Sequence, residues 1–479
     1  MFNILNSYKD FYYPRQSTDS VESTRLVYCL HLLNHLFKTR KEVLRNNSKF
    51  KAQKDASLLV DDGGGDDEKI FRDQGFTHAK VLIVVPMRSS AFKIVQMIIT
   101  LMSSDKVRVS NEDRFKSEYG SEGVEEVKKG FKPDDFEKTF DGNLDDNFKI
   151  GLSVCKKTLK LYVDFYASDV IITSPLGLKS VIDSKQSGET DFLSSIELVI
   201  IDQAHVFLMQ NWSDVLNLVS SLNKQPQQSH GVKLSRVRMF CINGWSSLYR
   251  QTIIMSAYQT PEINSLFNKF STNILSGRCM VQPAPTTGTI CNIVNTLAQT
   301  FRKFAVDSVQ LVNDARFNYF TNRIISEYRS STCQHIMVFI SSYYDFVRVR
   351  NFMKKEDFDF VHICEYTDEK DVSRARQSFF KGKVRFLLYT ERFHFYHRYR
   401  IRGVHHIIFY DLPVNSHFYP ELCNMMFDNK CNRSSIDQSC LVVYSRYDAI
   451  KLVGVVGDER ASLMIQAHRD THLLMSGDS

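Results

Sequence analysis

The residues best placed to do chemistry follow a short apolar run near the middle of the chain. Residues 198–201 read as a strand buried on both faces of a parallel sheet, and Asp202, Gln203, Ala204 and His205 come directly after it. A carboxylate at a strand end can hold the water shell of a magnesium ion, and a second one beside it could deprotonate water. Gln203 has no group that takes a proton near neutral pH. The motif therefore predicts either a working hydrolase with unusual chemistry or one that has lost its base.

The segments around this motif alternate between apolar runs typical of strands and amphipathic stretches typical of helices. In the first half we predict strands at 81–85, 170–173, 198–201 and 252–255, and helices at 24–46, 89–102, 176–182, 214–222 and 262–269. In the second half we predict strands at 336–340, 360–363, 385–389, 406–410 and 440–444, and helices at 315–328, 343–354 and 372–380. This alternation favours an α/β fold with parallel sheets flanked by helices.

The length of the chain, 479 residues, exceeds what one ordinary core accommodates. The composition shifts predict an N-terminal arm and helix with an acidic glycine loop at 1–70 and a first domain at 71–280. They also predict an acidic surface insertion at 104–150 within that domain, a linker at 281–312 and a second domain at 313–479.

Charge and cysteine content limit the kind of partner and the cellular environment. The formal net charge is +7, yet residues 105–149 hold 13 acids and 9 bases, so the rest of the chain carries the basic surplus. Such a surplus is compatible with a polyanionic partner. The 10 cysteines show no C-x-x-C pair and no zinc-finger spacing. With no signal peptide at the start and no long apolar run, we expect reduced thiols in an intracellular protein, no membrane and no metal site.

If the chain hydrolysed a nucleoside triphosphate, it would need a phosphate-binding loop, G-x-x-x-x-G-K-[S/T], whose amides and lysine hold the phosphates. None of the 20 glycines belongs to such a loop, and the single Gly-Lys pair, Gly382-Lys383, is followed by valine. Residues 13–23, which precede the first predicted helix, contain no glycine at all. We therefore expect no cofactor and no catalytic residue, with Asp202 instead capping the neighbouring backbone.

Several short motifs appear in the order found in the tandem RecA-like core of superfamily 2 RNA helicases, which the chain resembles in degenerate form. These are V-P-M-R-S-S-A at 85–91, I-T-S-P-L-G at 172–177, D-Q-A-H at 202–205, S-A-Y at 256–258 and Y-T-E-R at 389–392. Residues 414–420, where the arginine fingers of a helicase would lie, contain no arginine. The resemblance thus implies a helicase frame that lacks the phosphate loop, the base and the finger.

Longer stretches carry a narrower resemblance. F-Y-A-S-D-V-I-I-T-S-P-L-G-L at 165–178, I-I-M-S-A-Y-Q-T-P-E-I-N-S-L-F at 253–267 and Y-T-E-R-F-H-F-Y-H-R-Y-R-I-R-G-V at 389–404 are similar to one family. That family comprises the helicase-like U3 small nucleolar RNA-associated proteins of the small-subunit processome, also called digestive organ expansion factors.

The resemblance implies a non-catalytic assembly factor in the nucleus and nucleolus that promotes pre-rRNA processing toward 18S rRNA. Its partners would be U3 small nucleolar RNA, pre-rRNA and processome proteins, with no small-molecule substrate. An active RNA-dependent ATPase with divergent motifs remains the alternative.

One basic and aromatic stretch predicts contact with RNA. Within residues 381–402 arginines alternate with aromatic side chains, a pattern suited to binding phosphates and stacking on bases. The candidates there are Arg385, Arg392, Arg398, Arg400, Arg402, Tyr396 and Tyr399, and Arg88 occupies a phosphate-gripping position by resemblance. Arg236, Arg238 and Arg250 form a weaker set. The alternative is that the aromatic rings belong to the core and the arginines to a solvated or protein-facing edge.

Overall fold

The computed structural model describes residues 1–57, 71–102, 107–121, 132–184, 189–228, 230–282, 287–294, 296–330, 333–427 and 438–476. The chain divides into two compact units, Met1–Pro283 and Ala284–Ser479, and each is described by itself. The predicted α/β class is confirmed, since each unit has a mostly parallel sheet with helices on both faces.

The first unit is built on a nine-stranded sheet. Its strands are β1 (Asp10–Tyr13), β2 (Val81–Val84), β3 (Arg108–Ser110), β4 (Lys149–Cys155), β5 (Thr158–Leu161), β6 (Val170–Thr173), β7 (Leu198–Ile201), β8 (Gln251–Met255) and β9 (Arg278–Met280). Its helices are α1 (Phe2–Asn6), α2 (Val21–Ser57), α3 (Arg88–Met102), α4 (Glu112–Tyr119), α5 (Asp134–Thr139), α6 (Pro175–Asp183), α7 (Ala204–Phe207), α8 (Trp212–Ser220), α9 (Met239–Ile242) and α10 (Pro261–Phe270).

The strand order in this sheet is β3-β5-β4-β6-β2-β7-β8-β1-β9. All neighbouring pairs are parallel except the two that involve β4. The central strands β2, β6, β7 and β8 are buried along their whole length, which explains their continuous apolar sequence. Two separate apolar clusters, one on each face, bury this sheet.

The N-terminal segment is not an arm. β1 lies inside the sheet between β8 and β9, with Phe11 opposite Ile253. The carboxylate of Asp10 secures the strand by accepting hydrogen bonds from the amides of Thr252 at 2.6 Å and Asn273 at 3.0 Å. The predicted acidic glycine loop at 61–67 lies outside the described residues.

The acidic insertion is more than a surface segment. β3 extends the sheet as an edge strand, and α4 buries Phe115 and Tyr119 in the core beside α3. Acidic side chains occupy the outer face of α4, so the composition reflects one exposed face of a packed element.

The second unit is built on a seven-stranded sheet. Its strands are β10 (Leu297–Lys303), β11 (Ile336–Ile340), β12 (Phe360–Ile363), β13 (Phe386–Thr390), β14 (His406–Phe409), β15 (Ser439–Tyr444) and β16 (Thr471–Ser476). Its helices are α11 (Val312–Tyr319), which a π-helical stretch at Phe320–Ile324 joins to α12 (Ile325–Ser330), α13 (Tyr343–Lys355), α14 (Glu369–Phe380), α15 (Glu391–His397), α16 (Phe418–Asn424), α17 (Ala449–Val456) and α18 (Asp458–Gln466).

The strand order in the second sheet is β12-β13-β11-β14-β15-β10-β16, and only β16 runs antiparallel to its neighbour. β10 falls within the predicted linker at 281–312, yet it pairs with β15 and β16 along its length. Its alternating burial hides every second side chain, Phe301 among them, so this segment belongs to the fold. No helix in the described part of the chain is long and apolar enough to cross a membrane.

Candidate functional site

Four segments of the first unit converge at the edge of the sheet where its parallel strands end. They are residues 14–20 after β1, the start of α3 after β2, Asp202–His205 after β7, and residues 256–258 after β8. Hydrogen bonds join them: the Gln16 amide donates to the Ser256 carbonyl at 2.9 Å, and the Ala257 amide donates to His205 Nδ1 at 3.1 Å. The helicase-like motifs at 85–91, 202–205 and 256–258 therefore share one edge of the first sheet.

Asp202 is fully buried at the centre of this edge, and its two oxygens are surrounded by protein donors. Oδ1 accepts a hydrogen bond from Gln16 Nε2 at 2.8 Å and one from the Gln203 amide at 3.0 Å. Oδ2 accepts one from the Tyr28 hydroxyl at 2.8 Å, and Arg25 Nη2 lies 3.8 Å away. The Gln203 contact is the backbone cap that the sequence suggested, and the other three contacts were not foreseen.

The charge of Asp202 is compensated inside the protein. Burial alone would lower the pKa of Arg25, but Tyr28 and Asp202 together hold this pKa above its ordinary value. Burial, reinforced by the Asp202 carboxylate, raises the pKa of Tyr28 far enough to keep its phenol protonated and donating. Arg25 thus supplies the positive charge that a metal ion would otherwise bring to this carboxylate.

Gln203 occupies a conformation that favours glycine or asparagine, with φ of 55°. Its side-chain oxygen accepts a hydrogen bond from Ser90 Oγ at 2.6 Å, which links the end of β7 to the first turn of α3. Burial lowers the pKa of His205 to about 4, so this ring is neutral at physiological pH and its Nδ1 accepts from Ala257. The side chains of Gln203 and His205 thus link the end of β7 to the neighbouring segments at this edge of the sheet.

In the segment at the position of the phosphate loop, residues 14–20, the amides of Ser17 and Ser20 close a turn. The Ser17 amide donates to Ser20 Oγ at 2.9 Å, and the Ser20 amide donates to the Ser17 carbonyl at 3.1 Å and Ser17 Oγ at 3.2 Å. The Val21 amide also donates to the Ser17 carbonyl, at 3.1 Å. A loop that binds phosphate turns such amides toward the ligand, whereas here they close a turn.

In the second unit, Glu391 occupies a comparable strand end after β13. It is fully buried, and its oxygens accept hydrogen bonds from the amides of Val414 and Asn415, each at 3.0 Å. Burial raises the pKa of Glu391 to about 7, although nearby Lys451 and the two amides oppose the rise. The residues at the finger position continue into α16, where Phe418 and Tyr419 enter the core.

The structure separates the predicted basic stretch into buried and exposed members. Arg398 is 5% exposed, stacks on Phe418 with 4.3 Å between the guanidinium carbon and the ring centroid, and pairs with Glu421 at 3.2 Å. Arg385 donates to the carbonyls of Cys333 and Tyr328, and the half-buried Arg392 faces Glu365 at 3.9 Å. These three arginines take part in the packing of the unit.

The remaining candidates lie on the surface beside α15. Arg400 and Arg402 are exposed, while Tyr396 and Tyr399 are half-buried. The sequence missed Arg376 on α14, whose guanidinium stacks on Tyr399 at 4.9 Å and donates to the Arg400 carbonyl at 3.2 Å. Only the fold brings α14 beside this segment, so no sequence signal could have identified Arg376.

The other arginine candidates have partners within the first unit. Arg88 forms an ion pair with Asp145 at 3.0 Å and donates to the Glu118 carbonyl at 3.1 Å. The weaker set behaves in the same way: Arg236 binds Asp73, Arg238 binds Glu197, and Arg250 is buried against Asn223.

Metal binding finds no support in the described ranges, where no group of His, Cys, Asp or Glu is arranged to hold an ion. The nine cysteines that the structure describes are free thiols. His31 and His35, one turn apart on α2, instead contact Gln251 at 2.8 Å and Tyr8 at 3.0 Å.

Comparison with protein families matches both units. The model described as "UTP25, NTP hydrolase-like domain" matches residues 8–279, more than half of the chain. The chain belongs to the UTP25 family. A second model, "Utp25, C-terminal domain", matches residues 289–474, so the UTP25 match covers the described parts of both sheets apart from the ends of β9 and β16.

Curated UTP25 relatives extend beyond this chain. The human protein named U3 small nucleolar RNA-associated protein 25 homolog is 47% identical over 485 residues, covering 100% of this chain and 63% of the human one. Its Xenopus tropicalis counterpart, of the same name, is 48% identical and covers 100% and 62%. The chain therefore spans slightly less than two thirds of the length of these UTP25 proteins.

Among solved structures, the yeast DEAD-box splicing factor Prp28 matches with a TM-score of 0.30 and 12% identity, covering 95% of this chain and 79% of that one. Because this TM-score is low, the α/β fold of the UTP25 chain is assigned from its own two sheets and not from the likeness to Prp28.

Proposed function

We propose that the chain is a helicase-like assembly factor of the nucleolar small-subunit processome that does not hydrolyse nucleotides. In this role it binds U3 small nucleolar RNA, pre-rRNA and neighbouring proteins, and it supports processing toward 18S rRNA. Membership of the UTP25 family, whose relatives are named for association with U3 small nucleolar RNA, supports this assignment and a nuclear, nucleolar location.

The observation that carries the non-catalytic part of the proposal is the enclosure of Asp202. A magnesium site needs carboxylate oxygens that face open space and retain most of their lone pairs. Here Gln16, Tyr28 and Arg25 occupy that space, and Asp202 is inaccessible to solvent. A bound ion would have to displace a guanidinium and two hydrogen bonds from a buried site, which is strongly unfavourable.

ATP turnover by the purified chain tests this part directly. We expect no saturable hydrolysis with or without single-stranded RNA, and no magnesium-dependent crosslinking of radiolabelled ATP. RNA-stimulated turnover that disappears in Asp202→Ala would instead establish the RNA-dependent ATPase.

For the RNA-binding part, we propose that the surface formed by Arg376, Tyr396, Tyr399, Arg400 and Arg402 binds single-stranded RNA. Arginines near half-buried tyrosines provide phosphate contacts and faces on which bases stack. We expect Arg400→Ala combined with Arg402→Ala to weaken RNA binding and to reduce the salt slope of log K by about 1.4, since each single-strand phosphate contact contributes about 0.7.

Fluorescence anisotropy with labelled RNA over a salt series measures this slope. The matched control is Arg374→Ala, because Arg374 is 77% exposed on α14 and pairs only locally with Asp371. Equal slopes for the double variant and the control would remove this surface as an RNA site.

A further inference from the structure

A group of large apolar side chains lies exposed at the opposite edge of the first sheet from the helicase-like motifs. Trp245 is 52% exposed, Ile274 63% and Leu275 70%. Met239 at 51% and Ile242 at 38% precede Trp245 at intervals of three residues along a helical stretch. We call these five residues the Trp245 patch.

Hydrogen bonds hold the two segments of the patch together. The Ile274 amide donates to the Leu248 carbonyl at 3.0 Å, and Thr272 Oγ1 donates to the Ser247 carbonyl at 3.0 Å. These segments immediately precede β8 and β9, which are parallel, so both lie where those strands begin. Asp10 at the start of β1 fixes the second segment through the Asn273 amide at 3.0 Å. These hydrogen bonds therefore fix the two segments of the Trp245 patch relative to each other and to the sheet.

The composition of the patch is typical of an interaction site. Single exposed apolar residues are common, but five on two segments joined by hydrogen bonds, one of them tryptophan, indicate a surface that another molecule covers. Tryptophan is also the residue type most enriched among those that dominate binding energy in protein interfaces.

The charged residues near the patch indicate the sign of the charge expected on a partner. Residues 224–278 contain seven lysines or arginines and a single acid, Glu262. Three of these arginines contact side chains of the unit itself. Lys224 and Arg278 are exposed. Lys224 precedes Gln225, whose side-chain amide donates to the Ile242 carbonyl at 3.2 Å, and Arg278 follows Leu275 by three residues. A partner that covers the apolar centre would therefore meet a basic rim, which favours carboxylates at its margins.

A protein fits this surface better than RNA. Met239, Ile242, Ile274 and Leu275 are aliphatic and present no flat face for a base, so only Trp245 could stack. Arg236 and Arg238, which precede Met239 in the chain, have their guanidinium groups committed to Asp73 and Glu197. Aliphatic side chains around one tryptophan suit the apolar face of a helix or strand.

We propose that the Trp245 patch docks a segment of a partner protein that carries apolar side chains flanked by aspartate or glutamate. The partner and the RNA surface of the second unit would then occupy different units of the chain. This inference does not depend on whether the chain hydrolyses ATP or binds RNA.

Site-specific photocrosslinking identifies what covers the patch. A benzophenone amino acid replaces Leu275 or Met239 in the full chain, expressed in its native cell, which leaves Trp245 in place. The matched control carries the same probe at Val294, which is 79% exposed in the second unit. We expect both patch positions, and not the control, to crosslink to one protein segment in which acids flank apolar residues.

A synthetic peptide of the crosslinked segment then measures the contact in isolation. Trp245→Glu and Ile274→Glu should each weaken its binding to the full chain by at least about tenfold, whereas Val294→Glu should not change it. Thermal melts of all three variants confirm folding, which exposed substitutions should preserve.

Other crosslinks would overturn the proposal. A crosslink to RNA would make the patch a nucleic-acid surface, and one to a second copy would make it a dimer contact. A crosslink to residues 58–70 of the same chain would show that the chain covers the patch itself. Yields no higher than at Val294 would mean that nothing docks there. The peptide assay uses the purified chain alone. Its result therefore does not depend on whether the chain acts in the processome, and the two proposals can fail independently.

Discussion

At the scale of single residues, the contact between Arg25 and Asp202 determines how charge is compensated at the end of β7. Arg25 is 3% exposed and Asp202 is not exposed at all, so each charge depends on the other for compensation. Removing one partner of such a buried pair leaves the other charge without compensation, which is strongly destabilising.

Removing one member of this pair should reveal its contribution. We expect Arg25→Met to lower the free energy of unfolding by about 3–5 kcal/mol, because it leaves Asp202 as an uncompensated buried charge. Adding Asp202→Asn to the same protein should restore most of the loss, since asparagine can still accept from Gln16. Urea denaturation measures both, with exposed Arg15→Met as the control. A loss of less than about 0.5 kcal/mol for Arg25→Met would contradict this account.

His31 predicts how the stability of the first unit depends on pH. Burial lowers the pKa of His31 to about 4 from an ordinary value of 6.5, while its Nε2 contacts Gln251. Below pH 6.5 the unfolded chain takes up a proton that the folded chain refuses until about pH 4. Stability should therefore fall as pH drops through this window, by up to about 3 kcal/mol from His31.

Urea midpoints at pH 4–7 measure this dependence. His31→Gln should make the profile shallower and leave the part that His205 contributes, whereas the exposed His468→Gln should leave it unchanged. A profile in His31→Gln as steep as in the parent chain would assign the pH dependence to other groups.

At the scale of elements, the sequence predicted best those strands whose burial requires a continuous run of apolar residues. β6, β7 and β11 were predicted to the residue, because strands covered on both faces are continuous apolar runs. The bounds of β12, a half-buried edge strand, also agree. β1, β3 and β9 were missed, since four or fewer residues of mixed polarity at or near a sheet edge carry no period. In the site, the sequence singled out Asp202 by its position directly after an apolar run. It could not identify Arg25 or Tyr28, because only the packing of α2 brings them to the end of β7.

Gly177 in the first turn of α6 shows why one motif keeps its glycine. A Cβ there would lie 1.9 Å from the Phe148 carbonyl oxygen, so the helix approaches the backbone before β4 as closely as glycine allows. In an open helix, Gly→Ala would gain about 1 kcal/mol. We expect Gly177→Ala to destabilise the first unit instead, by about 3 kcal/mol.

Thermal or urea unfolding settles the sign of this change. Ser180→Ala on the exposed side of the same helix is the control and should stay within about 0.5 kcal/mol of the parent. If the Gly177→Ala variant is more stable than the parent chain, the backbone around Phe148 must shift at little cost to make room for the new Cβ.

At the scale of the whole molecule, the two sheets share no strand. β1 to β9 form one sheet and β10 to β16 the other, and each has its own pair of apolar clusters. Folding information for each unit is therefore contained in its own part of the chain, as expected of domains with separate cores.

Each half should fold when made alone. We expect fragments 1–282 and 287–479 to give cooperative unfolding transitions and near-ultraviolet circular dichroism typical of packed aromatic side chains. A fragment that starts at residue 313, the predicted start of the second domain, should fail this test because it lacks β10. Cooperative unfolding of that shorter fragment would mean that β10 is dispensable.

The position of β1 has a consequence for biosynthesis. This strand leaves the ribosome well before its neighbours, because β8 lies about 240 residues and β9 about 270 residues further along the chain. At about 5–20 residues per second, Phe11 and Tyr12 wait on the order of tens of seconds before a partner strand exists. Until then the nascent chain offers an aromatic segment to any chaperone within reach, so the first sheet is completed only when its earliest and latest strands meet.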